Sequence, residues 1–417
     1  MRFVHIADVH LDTAFAGRSD EIRRRLRQAS RDALQRAVEA AIAEKVDAML
    51  IAGDLFDGER LSFETERFVL EQLGVLSDAG IRVVYATGNH DPGRRRIRGG
   101  KLEWPATVTL IPDGRPRAVP IVGEGGYPVG IVTGAGHASS RETTDLAREL
   151  KPTDVDLPQV AILHTQVLSA RGLEVHQPYA PSDVDYLRSA GFDYWALGHV
   201  HLRQQISAEP PIHYPGNLQG RSPRETGPKG GLVVDLRDPA NPQVDFREFA
   251  TVRWEKLQVD TLGGAETLEH LIRAVTQKWD DARRTDPGET DTEWMVAVDL
   301  IGPSPLWREL RQPEEVTQVA NELALQLGAM EVEVRVSRIH PRADVRDHAD
   351  RQDVLGAAIR LARSVGGGHE SLDIAPDDMA GFKPDRGGSI DEYVRDLLEG
   401  APEEILAQML VPREEGP

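Results

Sequence analysis

An α/β fold on central sheets is what this sequence predicts, and three observations predict it. Short apolar runs alternate with amphipathic helical stretches through the first half of the chain, the most informative runs stop in polar residues, and composition is average for a globular protein. The chain has 417 residues, 40% of them apolar and 28% charged. That length suits two or three domains at roughly 100 to 200 residues each.

Residues 3–8 (FVHIAD) predict a buried strand. Ile22, Leu26, Ala29, Ala33, Ala37, Val38 and Ile42 then recur at helical spacing and predict a long amphipathic helix. A second strand is expected over 48–53, a helix over 64–76 and a third strand over 81–86. Further strands are expected at 129–134, 159–164, 192–198 and 231–236. After the turn-rich DPANP at 238–242 the pattern changes. Strand-like 252–260, 294–302 and 332–337 alternate with helices around 267–277 and 314–327, predicting a small α+β domain. The remainder predicts two helices around a Gly-rich break at 366–368, the second opened by a capping box, Ser389 with Glu392. Three segments are therefore expected: 1–250, 251–340 and an acidic helical stretch, 341–417.

Composition excludes several function classes. Zero cysteines remove disulfides, cysteine nucleophiles and thiolate zinc sites, so a metal must sit on His, Asp, Glu, Asn or backbone. No run approaches the roughly eighteen apolar residues of a membrane helix, and MRFVHIADVH opens as a strand rather than a signal peptide. A cytoplasmic protein without membrane contact is the expectation. The formal charge of -19 argues against coating nucleic acid by bulk attraction. Charge is uneven, however: 341–417 holds 17 acidic against 9 basic residues, whereas Arg94, Arg95, Arg96, Arg98 and Lys101 crowd into eight positions.

Chemistry gathers at strand ends. Asp8 and His10 stand two apart after the first strand, where a pleat sends both side chains from one face. GDLFD places Asp54 where the second strand ends, with Asp57 one turn later, and GNHD follows the third with Asn89, His90 and Asp91. His164 closes QVAILH, and GHVH puts His199 and His201 after the strand at 192–198. Taken singly, each has a structural alternative: a helix cap or turn for Asp8 or Asp54, a hydrogen-bonded core residue for His164. Together they favour a metal site, because ligands collect beyond the carboxyl ends of strands and five strands here end in metal-type ligands. The remaining histidines, including His5, His137, His176, His213 and His270, are read as structural. Carboxylate, imidazole and amide oxygen suit manganese, iron or zinc. The ligands suffice for two divalent ions bridged by a carboxylate, an arrangement fitted to in-line displacement at phosphorus.

In order and in full, DxH, GDxxD, GNHD, H and GHxH resemble the signature of the calcineurin-like metallophosphoesterases over residues 1 to about 220. VHIADVHLDTAF, AGDLFD, TGNHDP, ALGHVH and YPGNLQGRSPRETGPKG further resemble the SbcD-type DNA repair exonucleases, in their YhaO-like branch. The resemblance implies an αββα sandwich with a small α+β capping domain and a helical C-terminal segment. It makes Asp8, His10, Asp54 and His201 ligands of one ion, and Asp54, Asn89, His164 and His199 ligands of the other, with manganese favoured. His90 would contact the scissile phosphate and Asp91 would orient His90; Asp57 stands where some relatives carry a second catalytic histidine, which leaves it a support role and excludes a two-histidine mechanism there.

The resemblance also implies a DNA nuclease that trims duplex ends 3′ to 5′ and nicks single strands beside an SMC-like ATPase of SbcC or YhaN type. The C-terminal helices would be its dock, or would pack on their own domain or pair two copies as a homodimer. Arg94, Arg95, Arg96, Arg98 and Lys101, close after His90, with Arg221 and Arg224 after the last motif, become candidate DNA contacts. A phosphodiesterase acting on small nucleotides is the alternative; it would close its site and leave these arginines without a use.

Overall fold

The computed structural model describes residues 1–57, 61–93, 103–168, 170, 179–288, 290–341, 345–375, 379 and 389–410. The chain divides into two compact units, Met1–Arg253 and Trp254–Pro417.

The first unit opens with β1 (Arg2–Ile6), α1 (Asp20–Ala43), β2 (Ala48–Ala52), α2 (Phe63–Asp78), β3 (Arg82–Ala86) and β4 (Val108–Ile111). It continues through β5 (Arg117–Val122), β6 (Pro128–Ala135), β7 (Gln159–His164), α3 (Val184–Ser189) and β8 (Tyr194–Gly198). β9 (Gln204–Ala208), β10 (Pro211–Tyr214), β11 (Gly230–Asp235) and β12 (Gln243–Glu248) complete it. Two six-stranded sheets result, ordered β12-β11-β1-β2-β3-β4 and β5-β6-β7-β8-β10-β9. β1 to β4 run parallel, as do β6, β7 and β8.

Between the sheets, Phe3, Leu50 and Val84 share a core with Val132, Val160, Ile162 and Tyr194. Alternate residues of the first sheet, Val4, Ile6, Met49 and Ile51, pack with Ala33 and Ala37 of α1 and Val69 and Leu73 of α2. The outer face of the second sheet buries Ala161, Leu163, Trp195 and Leu197 with Leu187 of α3. Strands covered on both faces read as unbroken apolar runs, which is why β2, β7 and β8 stand out in the sequence. The expected αββα layering is the observed one. Ser19 and Ser62 cap α1 and α2 by accepting from Ile22 N and Thr65 N.

The elements absent from the sequence reading are short or peripheral. β5 carries Pro120, which an edge strand tolerates because its outward N–H has no ladder partner. β12 alternates exposed and half-buried residues at the other sheet's edge, so its pattern is too polar to register as core.

In the second unit, β13 (Val252–Val259), α4 (Leu268–Thr285), β14 (Glu293–Pro303), α5 (Pro313–Leu327) and β15 (Glu331–His340) form a three-stranded sheet and two helices. Leu271, Val275 and Trp279 of α4 and Val319 and Leu323 of α5 cover Val296, Val298 and Leu300. α6 (Arg346–Ala349), α7 (Val354–Gly366), α8 (Ile390–Leu397) and α9 (Ala401–Leu410) follow. The capping box forms as expected: Glu392 N donates to Ser389 Oγ and Ser389 N to Glu392 Oε2. What reads as one last helix is two, because Gly400 takes a left-handed φ of 76° and Pro402 follows it. Arg311 pairs both guanidinium nitrogens with Glu404 of α9, at 2.7 and 2.6 Å.

His5 and His213, read from the sequence as structural, are both buried. His5 Nε2 donates to the Leu197 carbonyl at 3.1 Å, so Nδ1 accepts from Tyr194 Oη, also at 3.1 Å. His213 stacks on the Tyr194 ring at 5.7 Å. Burial, and for His5 the neighbouring His213, lower their pKa values to about 3 and about 4 respectively. The unfolded chain takes up these protons near 6.5, before the folded chain can. Stability is therefore complete above that pH and is lost as pH falls toward 4, by up to about 1.4 kcal/mol per unit for each histidine. His213→Gln is expected to flatten the decline of melting temperature between pH 6.5 and 4.5. An unchanged slope would count against this account.

Candidate metal centre

Five strands, β1, β2, β3, β7 and β8, deliver the predicted side chains to one end of the sandwich. β1 stops at Ile6, so Asp8 and His10 are not brought together by a strand pleat. Both adopt left-handed backbone, φ 50°, as does Asp54 at 51°, while His199 lies at 105°. Such conformations cost non-glycine residues on the order of 1–3 kcal/mol each and persist where surrounding structure imposes them. Here the segments after β1 and β2 are laced together: Asp8 N donates to Gly53 O, His10 N to Asp54 O and Leu11 N to Leu55 O. His199 N donates to both oxygens of Asp8, at 3.0 and 3.2 Å, tying the second sheet to the first. Gly53 is required, since a Cβ there would stand 2.3 Å from the His164 ring, at φ 86°.

The donor atoms converge. His10 Nε2 lies 3.2 Å from His201 Nε2, 3.7 Å from Asp54 Oδ2 and 3.9 Å from Asp8 Oδ1. His201 Nε2 lies 3.7 Å from Asp8 Oδ1. On the other side, His164 Nε2 is 2.9 Å from Asn89 Oδ1 and 3.3 Å from Asp54 Oδ2, and Asn89 Oδ1 is 3.2 Å from His199 Nδ1. Ligands about 2.0 to 2.2 Å from one ion, at octahedral or tetrahedral angles, sit about 2.8 to 3.6 Å from one another, close to these separations. Asp8, His10 and His201 form one group able to hold a cation, and Asp8, Asp54 and His164 another.

The donor set itself calls for cations. His164 Nδ1 donates to the Ala52 carbonyl at 2.9 Å, and Nε2 faces two acceptors, Asp54 Oδ2 and Asn89 Oδ1, so that position must hold either a proton or a cation. Buried Asp8 and Asp54 add two carboxylates at 0% and 1% exposure. Burial raises the Asp8 pKa, with Asp54's charge adding to it against the pull of His201 and His164. His164 shows the same field: burial opposes its protonation, yet Asp54 and then Asp8 push its pKa up to about 9. A divalent ion would satisfy these groups in place of a proton.

The carboxylate that meets His90 is Asp57, in keeping with a support role, and not Asp91. His90 Nδ1 meets Asp57 Oδ1 at 2.8 Å, and Asp57 Oδ2 accepts from Thr13 Oγ1 at 2.8 Å and Arg221 Nη1 at 3.1 Å. Asp91 instead accepts from Tyr85 Oη and from the backbone N–H groups of Gly88, Asp54, Leu55 and Phe56. It fixes the turn that aims Asp54. Burial works against the charge of His90, but the Asp57 hydrogen bond and the charges of Asp54 and Asp57 outweigh it and raise the pKa. The ring is 42% exposed, open to a substrate.

Arg221 is half-buried against Asp57, and Arg224 is exposed. Arg94, Arg95, Arg96, Arg98, Lys101 and His176 lie outside the described residues. Thr13 and Tyr85 escaped the sequence reading, as did Glu225, whose Oε1 stands 2.7 Å from His201 Nδ1. The signal of Glu225 was a lone carboxylate in the motif after the last histidine pair.

The profile of the calcineurin-like phosphoesterases matches residues 1–203. Over 314 residues the chain is 32% identical to the uncharacterized metallophosphoesterase YhaO of Bacillus subtilis, covering 74% of this chain and 73% of that protein. It is 24% identical over 387 residues to the DNA double-strand break repair protein Mre11 of Methanopyrus kandleri, covering 88% and 78%. A shorter match, 37% over 110 residues, is to one subunit of the nuclease SbcCD from Rhodobacter capsulatus, covering 26% and 24%.

Proposed function

Since the chain belongs to the calcineurin-like phosphoesterase family, we propose that it is a two-metal nuclease of DNA repair, removing nucleotides 3′ to 5′ from duplex ends and nicking single strands. The observation that carries this reading is the convergence of seven side chains from five strand ends, with donor atoms 2.9 to 3.9 Å apart. In the assignment we favour, Asp8, His10, Asp54 and His201 hold one ion and Asp54, Asn89, His164 and His199 the other, Asp54 being shared. Manganese suits this oxygen and imidazole set. Bound there, two divalent ions would activate water as the nucleophile and neutralise charge on the phosphoryl oxygens.

The protein's own contribution begins with His90. Asp57 fixes the Nδ1 proton, which leaves Nε2 to carry a second proton toward the leaving oxygen, as a general acid or a charged donor. Arg221, beside Asp57, adds positive charge for a phosphate. Arg94, Arg95, Arg96, Arg98, Lys101 and Arg224 are proposed backbone contacts that steer DNA to an otherwise acidic protein.

DNA as substrate is supported by the names of the relatives, one a double-strand break repair protein and one part of a nuclease. We assign an SMC-like ATPase as partner in a cytoplasmic setting, with 251–340 as an accessory domain and the helices within 341–417 as the dock. Leu397 of α8 and Met409 of α9 are 55% and 47% exposed. Among the described residues no helix is long and apolar enough to cross a membrane.

End-labelled duplex, circular single-stranded DNA and an aryl phosphodiester, each incubated with manganese, test the reading. Shortening of the duplex from its 3′ ends and nicking of the circle are expected. Cleavage of the aryl ester alone would replace it with a small-nucleotide phosphodiesterase.

A further inference from the structure

The segment 217–229 closes around His201. Asn217 N at 3.3 Å and Lys229 Nζ at 3.2 Å both donate to the His201 carbonyl. Glu225 reaches the ring from the other side, with Oε1 2.7 Å from Nδ1. Its second oxygen accepts from Arg221 N at 2.6 Å and Asn217 Nδ2 at 3.0 Å. A carboxylate oxygen only accepts, so His201 Nδ1 carries the hydrogen, and Nε2 is the nitrogen whose lone pair is available to a cation. That lone pair faces His10 Nε2 and Asp8 Oδ1. Arg221 Nη2 approaches the same Nδ1, but at 3.5 Å, and the shorter charge-assisted contact decides the tautomer.

We propose that Glu225 is a positioning residue for the cation held by Asp8, His10 and His201, setting the tautomer and plane of His201 and tying that ring to the backbone of Arg221. The inference rests on the two-ion reading above. Holding the loop would need only Oε2, which already takes both Arg221 N and Asn217 Nδ2; the bond from Oε1 serves the imidazole alone. A carboxylate behind a ligating histidine keeps the ring oriented and makes it a better donor, an effect worth about 10- to 100-fold in metal affinity. The same side chain holds the backbone of Arg221, whose guanidinium lies 3.1 Å from Asp57, the partner of His90.

Glu225→Gln separates the two uses. One carbonyl oxygen can accept from His201 or from the Arg221 and Asn217 donors, but not from both, because the amide nitrogen would then face a donor. Metal-stripped wild type, Glu225→Gln and Glu225→Ala are titrated with Mn2+, by calorimetry and by the resonance of free Mn2+, and their melting temperatures are recorded without metal. The expected result is one site weakened about tenfold in Glu225→Gln and about 100-fold in Glu225→Ala, with the other site and the metal-free melting of Glu225→Gln near wild type. Unchanged Mn2+ affinity in both variants would overturn the proposal. So would a metal-free melting temperature of Glu225→Gln lowered enough to account for the loss, since Glu225 would then be a folding residue. A wild type that takes up one ion overturns the two-ion reading, while the ratio at that ion still decides the role of Glu225.

Discussion

Asp54→Asn is expected to cut phosphodiester hydrolysis by about 10³-fold or more, the equivalent of several kcal/mol of lost transition-state stabilisation, and to weaken uptake of both metal ions together. The substitution is nearly isosteric. Its amide oxygen can still accept from His90 N, as Asp54 Oδ1 does at 2.8 Å, so the turn carrying His90 survives. The other position decides the outcome. Asp54 Oδ2 lies 3.3 Å from His164 Nε2 and 3.7 Å from His10 Nε2, between the two groups of donors. An NH2 there presents hydrogens to lone pairs that a cation should meet, and it removes the one charge both ions would share. Metal content and the rise in melting temperature on adding Mn2+ check this; each site filled at 100 times its Kd should add about 2.7 kcal/mol to the wild type. A variant that keeps two ions and full activity would sink the shared-carboxylate arrangement. One that loses a single ion would move the bridge to Asp8, the other buried carboxylate of the site.

Why the convergence was legible while its mechanics were not can be seen residue by residue. β7 runs from Gln159 to His164 as the sequence indicated, because a strand buried on both faces has no polar position to blur its limits. Once β1, β2, β3, β7 and β8 are placed with their carboxyl ends together, Asp8, Asp54, Asn89, His164 and His199 must lie near one another. The left-handed steps at Asp8, His10 and Asp54 carry no such mark. Asp and His enter φ > 0 more readily than most residues, but which of them do so here is set by hydrogen bonds between chain segments more than forty residues apart. The same limit hid which of Asp57 and Asp91 meets His90. Adjacency to His90 in GNHD favoured Asp91, yet its carboxylate is consumed by four backbone N–H groups and Tyr85 Oη, a commitment visible only when the turn is folded. Glu225 does carry a mark in the sequence, as the lone carboxylate of YPGNLQGRSPRETGPKG.

His90→Asn is expected to lower kcat by about 10²- to 10⁴-fold, the range for losing a positioned proton donor, with Mn2+ affinity held near wild type. Its backbone still donates to Asp54, and its ring stands beside the donor groups assigned to the ions, 4.8 Å from that of His10. Asp57→Asn tests how the donor is kept charged. Burial alone would lower the His90 pKa; the Asp57 hydrogen bond and charge oppose it, and they remain when bound ions would take up the charge of Asp54. Removing the Asp57 charge must therefore make His90 release its proton at lower pH. If Nε2–H is the working form, the basic limb of kcat moves toward acid in Asp57→Asn and disappears in His90→Asn, whose residual rate lacks that ionisation. The opposite sign is equally readable. A basic limb that stays in place in Asp57→Asn would mean that the ionisation governing turnover belongs to another group, and that His90 acts through shape or hydrogen bonding without carrying charge. An aryl phosphodiester with a good leaving group sharpens the test, because a leaving oxygen that needs no proton should lose less from His90→Asn than DNA does.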